Sequence, residues 1–119
     1  MTIQECYASF GGDFEDVRQR IPKDELIQRF ALKFLDDKSY ENLVAGLEAN
    51  DMDQAFRAAH SLKGVSQNLS FRNLGISASN LTEELRHWET APVDQARCEE
   101  LFKQVAADYE AVIAAVKQL

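Results

Sequence analysis

His60, Lys63, Gly64 and Gln67 are the residues of this chain whose types and spacing could do chemistry. At about 100° per helical residue, with His60 at zero, Lys63 falls near ~300°, Gly64 near ~40° and Gln67 near ~340°. The four share one face. Ala55, Ala58, Ala59, Leu62, Val65, Ser66 and Leu69 collect on the other side as an apolar stripe fit for burial. The spacing therefore predicts a histidine that points at water. An imidazole ordinarily titrates near ~6.5, so close to neutral pH it offers a lone pair as a nucleophile. A phosphoryl group accepted there would be anionic, and an ammonium one turn away at Lys63 would stabilise it. Gly64 costs a helix interior about 1 kcal/mol relative to alanine, and clearance for an approaching group would account for it.

Four neighbours border this face. Gln67 reads equally as a solvated glutamine or as an amide that hydrogen-bonds phosphoryl oxygens or the imidazole. Phe56, near ~320°, is expected to be partly exposed beside His60, either as rim packing or as part of an apolar docking patch. Arg57, near ~60°, would form with Lys63 a small basic island. Asn68 either ends the helix or belongs to the same docking edge. Competing chemistries lack their parts. Ser61 lies about 100° from His60 and cannot share its proton, and there is no Gly-x-Ser-x-Gly elbow. His87 is the only other histidine, Cys6 and Cys98 lack ligand spacing, and the five glycines form no nucleotide loop.

The stretch His60, Leu62, Lys63, Gly64, Asn68, Leu69 resembles the His-x-Leu-Lys-Gly…Asn-Leu signature of histidine-containing phosphotransfer (HPt) domains. These carriers pass a phosphoryl group between receiver domains of two-component relays. The resemblance covers nearly the whole chain, whose length and flanking helices also suit that fold. It implies a phosphorylated His60, a supporting Lys63, and a Gly64 that lets the partner's aspartate approach. The partners it implies are response-regulator receiver domains and a hybrid histidine kinase. The chain is then expected to be a phosphoryl carrier and not an enzyme, with no cofactor of its own, Mg²⁺ being brought by the receiver. Ser70 departs from the pattern, because a glycine commonly follows Asn-Leu, and it leaves open how this helix ends. A second reading is a helical bundle that binds and regulates a receiver without ever carrying phosphate.

The elements that must position His60 read as all-α. With 119 residues, two prolines and five glycines, one domain over 1–119 and few helix breaks are expected. Residues 1–22 read as two short helices covering one end of a bundle, broken at Gly11-Gly12 and stopped by Pro22. Residues 24–118 read as an antiparallel up-down-up-down four-helix bundle. Asp24 is expected to cap a helix carrying Leu26, Ile27, Phe30, Phe34 and Leu35. A joint at 37–39 leaves open whether 24–49 is one kinked helix or two. Asp51 or Asp53 would cap the histidine helix, which runs to about Leu69. Asn73 would open a helix with Leu74, Ile76, Leu81, Leu85 and Trp88 inward, and Pro92 the start of a last helix over roughly 93–118.

Composition excludes other classes. A net charge of -7 argues against nucleic acid, which needs a basic face. No run approaches ~18 apolar residues, and the N-terminus has no basic and apolar leader pattern, so no membrane span is expected. Two unpaired cysteines suit a reducing cytoplasm. A monomer needs no further explanation.

Overall fold

Short acidic and hydroxyl side chains set where most helices begin. Thr2 and Glu5 form a capping box, and Asp13, Asp51 and Asp94 accept from the backbone N–H of Asp16, Gln54 and Arg97. In the computed structural model, which describes residues 1–119, every regular element is helical. They are α1 (Ile3–Phe10), α2 (Phe14–Arg20), α3 (Asp24–Lys33), a 3₁₀ turn (Phe34–Asp36), α4 (Ser39–Glu48), α5 (Met52–Asn68), α6 (Arg72–Leu85) and α7 (Gln95–Val116). Residues 24–49 are thus two helices. The chain tightens into the 3₁₀ turn, and extended Asp37 turns it by accepting the Ser39 N–H at 2.8 Å.

Three local expectations are corrected. Asp24 is the first residue of α3; the cap is Lys23, which makes no capping bond. Asn73 lies inside α6, because the cap is Phe71, whose buried ring sits 5.0–5.6 Å from those of Tyr7, Phe10 and Phe34 and so fixes where the chain enters. Pro92 precedes α7 without opening it, since Asp94 caps the helix at Gln95. The inward faces also shift. Ile27, Ala31 and Phe34 are buried, leaving Phe30 and Leu35 exposed. Ile76 is 52% exposed, because it lies about 200° around the helix from Leu74, whose stripe continues through Ala78, Leu81 and Leu85. Trp88 falls beyond the end of α6 and is half-buried.

Packing follows chain order: α4 lies on α5, α5 on α6, and α6 on α7, while α1 rests on α7 and touches α2 and α3. Between α4 and α7 the rings of Tyr40 and Tyr109 stack at 3.9 Å. Ala55, Ala59 and Leu62 of α5 are fully buried, and the small alanine side chains let α4 come close. A Cβ placed on Gly46 would stand 2.7 Å from the backbone nitrogen of Ala55. Past α5, Ser70 adopts a left-handed φ of 56°, the Phe71 N–H reaches the Ser66 carbonyl at 2.8 Å, and the Ser70 N–H reaches that of Gln67 at 3.1 Å. That pair of bonds is the Schellman ending, in which glycine usually holds the left-handed position. Serine there costs roughly 1–2 kcal/mol of backbone strain. The helix therefore ends where a glycine would have ended it.

The Gly46 contact generates a stability prediction. Gly46→Ala should cost about 1–3 kcal/mol through overpacking, read as a lower urea midpoint at an unchanged m-value. An unchanged midpoint would mean that α4 and α5 can part without loss.

Candidate functional site

α5 carries the site because its two sides are so unequal. Ala55, Ala58, Ala59, Leu62 and Ser66 are buried, whereas His60, Gly64, Gln67 and Asn68 are exposed and Lys63 is half-exposed. His60 points at water, as its spacing requires. One turn earlier, the half-buried Phe56 lies with its ring centroid 6.2 Å from the imidazole and inclined by 22°. Over Gly64 the surface is open: a Cβ built there would meet no atom within 4 Å. Nothing inside the fold requires glycine at that position.

The second wall of the site comes from α6. The Arg86 guanidinium sits 5.6 Å from the Phe56 ring centre, a cation on an aromatic face. It is held by two bonds to the Glu83 carboxylate, Nε at 3.1 Å and Nη2 at 2.8 Å. These Arg86 bonds draw the Glu83 carboxyl below the usual carboxylate range, and the charges of Arg86, Lys63 and His87 add to the effect. Lys63 itself makes no ion pair. Arg57, by contrast, is paired with Asp53 one turn back, at 3.2 Å. Of the three cations around this face, Arg57 and Arg86 are each engaged by a nearby carboxylate, Asp53 and Glu83, and Lys63 alone makes no ion pair.

Arg86 and Glu83 are invisible on a single helical wheel, since they belong to a different helix. A signal for them does exist in the chain. Gln67 lies against Gly75, and Phe56 lies under Arg86. Each pair is equidistant from Phe71, so the turn acts as a mirror for two antiparallel helices. Reflecting Phe56 through that turn finds Arg86. Phe30 was also missed as a surface residue. At 39% exposure it edges a shallow groove in which Phe34, Val65 and Leu69 alternate with the charged Lys33, Asp36 and Asp37.

Chemically, the site offers an exposed imidazole on a packed helix, an ion-pair-free ammonium at Lys63 one turn along, and open space over Gly64, which are parts that phosphoryl transfer can use. A family model for the Hpt domain matches residues 24–115. No curated protein and no solved structure matches the chain. The matched stretch runs from the start of α3 almost to the end of α7 and includes His60, leaving α1 and α2 outside. No helix is long and apolar enough to cross a membrane. With more than half its length matched, the chain belongs to the Hpt domain family and takes a histidine phosphotransfer role in two-component signalling.

Proposed function

We propose that the protein accepts and donates a phosphoryl group at His60 in exchange with the aspartate of response-regulator receiver domains, a hybrid histidine kinase being a further partner. The observation that carries this reading is the open space above Gly64, next to an exposed imidazole and an ion-pair-free Lys63. In the forward step an imidazole nitrogen attacks phosphorus in line. A P–N bond forms, the P–O bond to aspartate breaks, and the carboxylate leaves; the return transfer is the reverse. Charge neutralisation and positioning are most of what phosphoryl transfer needs. Lys63 supplies one cation, and Arg86 a second once a phosphoryl oxygen competes with Glu83 for it. The Gln67 amide is within the same face for hydrogen bonding, and Phe56, Arg57 and Asn68 form the rim that the receiver covers.

The chain is on this reading a carrier with no cofactor of its own, monomeric and cytoplasmic, and the receiver contributes the aspartate and Mg²⁺. Residues 1–119 act as a single domain. Its scaffold is an up-down-up-down bundle over residues 24–118, in which α3 and α4 together make the first wall and α5, α6 and α7 the others. Their consecutive packing and the Tyr40–Tyr109 stack between the first and the last support that arrangement. The rival reading, a bundle that regulates a receiver without being phosphorylated, parts from this one at a single residue.

Candidate receivers charged with acetyl phosphate should transfer an acid-labile phosphate to the wild-type chain and none to His60→Gln. Label persisting in that variant would sink the assignment, and binding with full regulatory effect but no transfer would favour the rival. Lys63→Ala should slow transfer by about tenfold, the loss of one charge-assisted bond to the anion, with the melting temperature unmoved. If the rate stays the same, Lys63 is only a surface cation. Gly64→Ala should raise stability by roughly 0.8–1 kcal/mol while slowing transfer from the receiver, and Gly64→Leu should block it. Normal transfer in the leucine variant would refute the clearance argument.

A further inference from the structure

Three side chains close a triangle at the end of the histidine helix. Arg20 Nη2 donates to Ser70 Oγ at 2.5 Å, the Ser70 hydroxyl donates to Asp16 Oδ2 at 2.6 Å, and Arg20 Nη1 donates to that same carboxylate oxygen at 2.9 Å. The bonds from Ser70 and then Arg20 hold the Asp16 carboxyl below its usual range. Main-chain bonds tie down the same corner: the Asp13 N–H reaches the Ser70 carbonyl at 2.8 Å, and the Tyr7 hydroxyl reaches that of Leu69 at 2.7 Å. The triangle offsets the strain of a left-handed serine. A glycine would have done so without it, and without the rotamer freedom that an ordered arginine gives up.

Arg20 does more than Ser70 requires. Its Nη2 also donates to the main-chain carbonyls of Asn68 at 2.9 Å and Gln67 at 3.3 Å. These are among the last carbonyls of α5, at the negative end of its dipole; that of Gln67 also accepts the Ser70 N–H at 3.1 Å, so Arg20 adds to a bond already made there and reaches the Asn68 carbonyl besides. Gln67 lies within about 20° of His60 on the wheel and roughly 10 Å further along the axis. It also walls a polar groove with Asp16, Ser70, Gly75 and the exposed Ile76. The guanidinium therefore grips the backbone directly beneath the exposed edge that continues the His60 face.

We propose that Arg20 is a positioning residue for phosphotransfer: by fixing the Gln67 and Asn68 carbonyls it holds still the edge of α5 that a receiver covers beside His60. The proposal rests on the phosphocarrier reading. It makes α2, which lies outside the family-matched residues, part of the partner-recognition apparatus. A partner that meets a frayed helix end must order it on docking, and the cost appears in the encounter and not in the chemical step.

The test compares wild type, Arg20→Met, Arg20→Lys and the double variant Arg20→Met with Ser70→Gly. Two phosphoryl donors are used: a receiver charged with acetyl phosphate, and phosphoramidate, which is too small to dock and loses ammonia as His60 gains the group. Arg20→Met should raise the KM for the charged receiver about fivefold with kcat within about twofold, and leave labelling by phosphoramidate unchanged. Arg20→Lys should recover part of the KM. In the double variant glycine relieves the strain, so the melting temperature should return while the KM stays raised. A KM that recovers together with the melting temperature, or equal slowing with both donors, would overturn the proposal. Failure of the wild type to accept phosphate from either donor would instead reject the carrier reading. Arg20 would then be judged by hydrogen exchange alone, since the Gln67 and Asn68 amides should exchange about fivefold faster in the double variant, and unchanged exchange would dismiss it.

Discussion

The rest of the structure depends on one side of α5 being sealed while the other is bare. Ala55, Ala59 and Leu62 are wholly inaccessible, and at about 100° per residue they dictate that His60 and Gly64 emerge on the opposite side. The seal is made with small residues. Alanines carry little apolar area each, so the stabilisation has to come from close backbone approach, and the bare Gly46 against Ala55 is what that approach looks like from α4. On the proposed carrier role His60 must hold still for an in-line reaction, and it gains from such a support, because a helix packed through short side chains has few rotamers through which to move.

The aromatic cluster of Tyr7, Phe10, Phe34 and Phe71 does for the turn what the alanines do for the helix. Phe71 is fully buried and meets rings from α1 and the 3₁₀ turn at edge-on angles of 84° and 88° to Phe10 and Phe34, the geometry that ring quadrupoles favour. It fixes the point about which α5 and α6 mirror one another. Since that mirror brings Arg86 over Phe56, the electrostatics around His60 are set by a phenylalanine about one helix length away. Site and core are joined through register more than through direct contact.

Much of this was legible in the chain, and the failures have a common cause. The outward His60, the buried stripe of α5, the cap at Asp51, one of the two residues offered for it, and the stop at Pro22 all follow from rules that act within one helix. What a single helix cannot reveal is which residue of a neighbour arrives beside it. Arg86 was overlooked for that reason, since it is supplied to the Phe56 ring across the turn. Ile76 and Trp88 were misplaced because apolar character was counted without its angle. The start of α6 was misjudged because a buried ring, and not a polar cap, decides it.

Gly64 and Ser70 break the grammar of helices in opposite ways, and the comparison separates a functional irregularity from a structural one. At Ser70 a residue with a Cβ occupies a left-handed site, and the fold answers with Asp16, Arg20 and the Schellman bonds. Every unfavourable feature has a partner within the chain. At Gly64 a residue without a Cβ occupies an ordinary helical site, and the fold answers with nothing, since no atom lies within reach of the missing side chain. A helix gives up about 1 kcal/mol there with no internal return, and the proposed carrier role places the compensation in a docking partner. An irregularity answered inside the chain speaks of folding, and one left unanswered beside an exposed histidine is what the proposed carrier role requires.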